Sequence, residues 1–210
     1  NRGIGRAVLR LFLAQGANVI ACLRRPSPQF TEARRELKER YGGQVIEEVH
    51  FDLHNPAEVK DAIKGLVSTK YEIDIIVNNA GALKTASVHL TSDSMVQEML
   101  VINFSSQLHL IQSLSRVMIK KKSGSIINIS SSAALDGNAG RLAYAASKSA
   151  LVTATKVISR ELGKYNIRAN VIAPGLTDTT MMWESTDEEA MTTVLEGVSL
   201  GRIGTPNEIA

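Results

Sequence analysis

The segment SGSIINISSSAALDGNAGRLAYAASK, residues 123–148, decides how this chain is read. It opens as a short apolar, isoleucine-rich run that ends in serines. Past Gly137 and Gly140 it becomes a helix-period stretch that continues to Tyr165. A strand leading through a turn into a helix is half of a βαβ unit. The segment also carries chemistry. On a helix, Tyr144 and Lys148 lie four residues apart on one face. The ammonium favours the tyrosinate, so it is expected to lower a phenol pKa that is ordinarily about 10. A phenol tuned in this way exchanges a proton with a carbonyl or alcohol oxygen. A neighbouring hydroxyl, Ser131, can hold that oxygen in place. If the serine run is extended, Ser130 and Ser132 point away from Ser131, which singles out Ser131. These groups are equipment for carbonyl reduction opposite a hydride donor.

Outward from this segment, strand-like and helix-like stretches alternate. ANVIACL, QVIEEVHFDL, EIDIIVNNAG, SIINISS and IRANVIAPG read as strands. GRAVLRLFLAQG, FTEARRELKERYG, PAEVKDAIKGLVSTK, the long run over residues 92–121, and AYAASKSALVTATKVISRELGKY read as helices. The alternation predicts right-handed βαβ units: an α/β chain with a Rossmann-type, doubly wound parallel sheet and helices on both faces. Near-continuous apolar strands suit a sheet covered on both sides. The sequence shows no repeat and no linker, so residues 1–210 are expected to form a single nucleotide-binding, reductase-type domain.

Composition narrows the function. The chain has 210 residues, 44% hydrophobic and 21% charged, an ordinary globular balance. A net charge of +3 does not argue for nucleic acid. No apolar run reaches membrane-spanning length and no signal peptide is visible, so no membrane role is expected and a cytoplasmic location is. The one cysteine, Cys22, sits in an apolar run and is expected to be buried and inert. No Cys/His cluster has metal-ligand spacing, so no metal site is expected. The run Lys120–Lys122 reads as a solvated helix end, or alternatively as a docking patch for an acidic partner.

The chain opens on Asn1, Arg2, Gly3, Ile4 and Gly5, a glycine-rich turn feeding an amphipathic helix. Such a turn brings backbone N–H groups and a helix dipole to a pyrophosphate. With this turn, the chain resembles the classical short-chain dehydrogenases/reductases through six motifs in order. NRGIG resembles the end of the family's glycine-rich turn. Asp52, followed by Leu53, stands where the family contacts adenine. Asn78-Asn79-Ala80-Gly81 matches the N-N-A-G turn beside the cofactor. Asn103 matches the asparagine that supports a catalytic water. Ser131, Tyr144 and Lys148 match the catalytic triad. Pro174 and Gly175, with Thr177 and Thr179, match the segment beside the nicotinamide. The resemblance implies that Tyr144 is the acid in reduction and the base in oxidation. It also implies that Lys148 binds the nicotinamide ribose and lowers the tyrosine pKa, and that Ser131 positions the substrate oxygen.

After the first strand-like run, an acid that would bind the ribose 2′-hydroxyl of NAD is replaced by Leu23, followed by Arg24. A guanidinium suits a 2′-phosphate, and Arg2 is a second cation for it. The expected cofactor is NADP, with NADPH preferred over NADH. Within the family the chain looks most like the 3-oxoacyl-[acyl-carrier-protein] reductases of fatty-acid synthesis, which implies an acyl-thioester substrate and acyl carrier protein as a partner. Lys120–Lys122, Lys164 and Arg168 could meet such a carrier. Two other readings stay open: reduction of a different small alcohol, sugar, steroid or ketone, and NADPH binding without catalysis. Met181, Met182 and Trp183 lie in the expected substrate loop. The resemblance further implies a homotetramer built on the helices around residues 95–120 and 145–164. The strand before the first turn and the family's last strand are not in the sequence. The doubly wound order makes that first strand central, so the sheet is expected to be interrupted there.

Overall fold

A computed structural model describes residues 2–68, 72–186 and 188–210; Asn1 lies outside them. In chain order the elements are α1 (Gly3–Ala14), β1 (Val19–Leu23), α2 (Pro28–Arg40), β2 (Ile46–His50), α3 (Pro56–Val67), β3 (Ile75–Asn78), α4 (Asp93–Leu100), α5 (Ser106–Lys121), β4 (Gly124–Ile129), α6 (Ala133–Asp136), α7 (Leu142–Leu162), β5 (Ile167–Ile172), α8 (Thr180–Trp183), α9 (Glu188–Glu196) and α10 (Pro206–Ile209). This is an α/β, Rossmann-like fold with parallel strands. All five strands among the described residues fall where the sequence places them. The described strands form two separate parallel sheets, β1-β2 and β3-β4-β5. The chain divides into two compact units, residues 1–52 with 176–210, and residues 53–175.

In the first unit, Leu9 and Leu13 of α1, Phe30 and Leu37 of α2, and Ile46 of β2 form one buried cluster. Val19, Ala21, Leu23 and Tyr41 pack against it. Strand alternation explains which residues face inward: 19, 21 and 23 line the cluster, so Cys22 points to the other face. Cys22 is exposed as a residue, contrary to the expected core position, yet desolvation pushes its thiol up to about 11, in line with the expected inertness. Local signals fix the helix starts. Ser27 caps α2 by accepting from the Phe30 N–H, with Pro28 in the first turn. The final segment is a helix start with a full capping box between Thr205 and Glu208.

In the second unit the fully buried side chains include Met99, Ile111, Met118, Ile126, Leu151 and Ile167, which fill the space between β3-β4-β5 and its helices. Asn55 and Ser92 cap α3 and α4. The run 92–121, read as one helix, is two. Val101–Ser105 is a π-helical turn between α4 and α5. One widened turn interrupts the ladder, as such turns do beside functional sites. α5 ends at Lys122, which takes the left-handed conformation at φ 54°.

Candidate active site

Five of the expected site segments follow the carboxyl end of a parallel strand, the place where open α/β sheets bind ligands. Arg24 follows β1, Asp52 follows β2, Asn78–Gly81 closes β3, Ser131 follows β4, and Pro174–Gly175 follows β5.

The chemistry is concentrated in the second unit. Tyr144, in the first turn of α7, is buried, and its phenol is hydrogen-bonded to the Ser131 hydroxyl. Burial pushes the phenol above its ordinary pKa; the Ser131 bond and the Arg141 charge oppose this but do not overcome it. The expected lowering by Lys148 is therefore corrected: loss of solvation dominates. Lys148 is 3% exposed and donates from Nζ to the Ile129 carbonyl at 2.7 Å. Burial pulls its pKa down to about 8, so it stays charged at neutral pH.

Ser130 and Ser131 separate, whereas Ser132 is helical and not extended, so the alternation expected of the run stops at Ser131. Ser130 turns inward and donates to the Lys148 carbonyl at 3.0 Å, whereas Ser131 lies on the Tyr144 side. Ser131 Oγ also accepts from the Ala133 N–H at 3.3 Å.

Asn103, fully buried in the π turn, uses both ends of its amide. Its Oδ1 accepts from the Ala82 N–H at 2.9 Å, and its Nδ2 donates to the Ala82 carbonyl at 2.9 Å and to Ser147 Oγ at 3.0 Å. The side chain thus holds backbone in place. Gly81 sits against this group. A Cβ there would lie 2.9 Å from Asn103 Oδ1 and 3.4 Å from Lys148 Nζ, so close approach requires glycine.

Other predicted residues fall as follows. Asn78 turns into the sheet and donates to Asn128 Oδ1 at 2.8 Å, and Asn128 in turn donates to Thr155 Oγ1 at 2.8 Å. The Pro174 carbonyl accepts from the Ser132 N–H at 2.9 Å, and Gly175 follows it. The Leu53 carbonyl accepts from Ser106 Oγ at 2.6 Å. In the first unit, Arg2 is exposed and extended before Gly3, which has φ 53°. A Cβ on Gly3 would lie 3.1 Å from Thr179 Cγ2. Ile4 and Gly5 continue the first turn of α1, and Arg24 is exposed. Thr177 is buried, and Thr179 caps α8. Met182 packs inward, while Trp183 stays half exposed with its Nε1 donating to Asp178 at 2.8 Å. Lys121 is paired with Glu72 and Asp74.

Sequence reading missed Ser147, Ser106, Gln107 and the Asn128–Thr155 pair. Their signal is polarity inside apolar stretches, which acquires meaning only once partners are known. Among the described residues no cluster could hold a metal ion, and no helix is long and apolar enough to cross a membrane.

Taken unit by unit, the residues suit separate parts of a nicotinamide dinucleotide. Lys148 is a buried cation with one protein hydrogen-bond partner among the described residues, which leaves two N–H donors for a ribose diol. The glycine turn at the start of α1 and the Arg24 guanidinium suit phosphates.

Parallel strands with site residues at their carboxyl ends, and a half-buried hydroxyl beside a buried phenol and ammonium, are the parts of an α/β oxidoreductase. The family model for short chain dehydrogenase matches residues 1–190. The chain is 37% identical to a 3-oxoacyl-[acyl-carrier-protein] reductase FabG of Chlamydia trachomatis serovar D, over 100% of this chain and 84% of that protein. It is 34% identical to the protein of the same name from Thermotoga maritima, over 99% of this chain and 83% of that one. Among solved structures, a gluconate 5-dehydrogenase from Burkholderia cenocepacia in complex with NADP and tartrate matches with TM-score 0.88 and 30% identity, over 99% of this chain and 81% of that one. This chain belongs to the short-chain dehydrogenase family. It is a nicotinamide-dependent oxidoreductase acting on CH–OH and C=O groups.

Proposed function

We propose that the protein reduces the 3-oxoacyl group of an acyl-carrier-protein thioester to the 3-hydroxyacyl form, with NADPH, in fatty-acid synthesis. The observation that carries the reading is the buried Tyr144 phenol bonded to Ser131, with Lys148 one turn further along α7. Bound NADPH supplies the hydride. Tyr144, a phenol protonated at neutral pH and held further in that form by burial, gives its proton to the carbonyl oxygen. That is the form needed for reduction. Ser131 holds the same oxygen. Lys148 would hold the cofactor's ribose through its free N–H donors and keeps a positive charge one helical turn from Tyr144. Asn103 fixes Ala82 and, with it, the turn that borders Lys148. Arg24 and Arg2 favour the 2′-phosphate.

The names of the relatives support the acyl substrate. Lys120 and Lys122 are exposed and would meet an acidic carrier, whereas Lys121 is engaged within the chain. The protein is a cytoplasmic homotetramer in this reading, with Val157, half exposed on α7, on the subunit contact. The gluconate 5-dehydrogenase among the structural neighbours favours a second reading, a small polar keto acid. The test is NADPH oxidation with a short 3-oxoacyl thioester beside 5-ketogluconate. Faster turnover of the thioester supports the first reading; turnover of the keto acid alone replaces it with the second.

A further inference from the structure

Two adjacent side chains at the start of α5 grip two separate loops of the second unit. Ser106, 3% exposed, donates to the Leu53 carbonyl at 2.6 Å. Gln107, 1% exposed, donates from Nε2 to the Ala80 carbonyl at 2.7 Å and to the Ile102 carbonyl at 3.4 Å. Asn103 lies three and four residues earlier, on the same helix face, and holds Ala82. One helix face therefore fixes backbone at 53, 80 and 82.

For stability alone, Gln107 is a poor choice. Its Oε1 is buried and has no hydrogen-bond partner among the described residues, and an unsatisfied buried acceptor destabilises the fold. Reversing the amide would set two carbonyl oxygens against each other, so the orphan cannot be relieved that way. Ala80 is an exposed residue, so the bond holds a surface segment in place and does not tie one part of the core to another. An unbranched apolar side chain would fill the same space without an orphan. What Gln107 supplies is a fixed direction for the Ala80 peptide, immediately before Gly81.

We propose that Gln107 is a positioning residue: it orients the Ala80 peptide of the Asn78–Gly81 turn toward the dinucleotide at the expense of stability, while Ser106 orients the Leu53 peptide. The inference rests on the reading of that turn as a cofactor contact. The test compares wild type, Gln107→Met and Gln107→Leu. The NADPH dissociation constant is measured by fluorescence titration without substrate, and the melting midpoint without cofactor. Both variants should melt at or above the wild-type midpoint and bind NADPH about 3- to 10-fold more weakly. A midpoint that falls in both variants would show a merely structural role and overturn the proposal, as would an unchanged dissociation constant in either. Wild type that fails to bind NADPH overturns the cofactor reading itself, and this inference with it.

Discussion

Replacing Lys148 by methionine should make the protein more stable at neutral pH, and the gain should shrink as the pH rises. Lys148 is 3% exposed and its ammonium has a single carbonyl partner among the described residues, at 2.7 Å. Its pKa is held at about 8, against 10.5 for an ordinary lysine. The folded value lies below the unfolded one, so between those limits the unfolded chain binds more protons and stability rises with pH. Below pH 8 the penalty is fully present. At about 1.36 kcal/mol per pH unit it amounts to ~3 kcal/mol. Methionine removes that penalty but also the bond to the Ile129 carbonyl, a loss of about 1 kcal/mol. The variant should therefore be about 2 kcal/mol more stable at pH 7, with the advantage reduced by roughly 1 kcal/mol at pH 9. Urea unfolding of both proteins at pH 7, 8 and 9 reads this difference directly, because every other titrating group is common to both. A variant no more stable than wild type at pH 7, or a difference independent of pH, would refute the reasoning.

Gly81→Ala should lower the melting midpoint by about 2–10 °C, since a methyl 2.9 Å from Asn103 Oδ1 overpacks the site by about 1–3 kcal/mol; a wild-type melt would contradict the close packing. Ser131→Ala should lower kcat about 100-fold through loss of a donor at the reacting oxygen. Ser130→Ala should instead lose about 1 kcal/mol of stability with its buried bond to the Lys148 carbonyl. Steady-state kinetics and unfolding of the two variants would expose an exchanged assignment.

The strands and helices were legible because their hydrophobic periods are local. The Ser130–Ser131 distinction was legible for the same reason, since strand alternation needs no knowledge of the rest of the fold. What escaped the sequence depends on contacts between distant residues. The π turn that breaks the 92–121 helix goes with Asn103 reaching Ala82, which no local pattern announces. The Tyr144–Lys148 spacing gave the shared helix face but not the burial, and burial reverses the direction of the Tyr144 shift. Asn78 reads as part of a cofactor turn, yet its amide is turned into the sheet toward Asn128. Cys22 shows the opposite error: apolar neighbours in sequence suggested a core position, while strand alternation left the residue exposed.

The most direct test of the account is NADPH oxidation by wild type and Tyr144→Phe with a short 3-oxoacyl thioester. Proton transfer from the phenol predicts turnover in wild type and a loss of at least about 100-fold in the variant, with NADPH still bound. Comparable turnover in the two proteins would contradict Tyr144 as the proton donor.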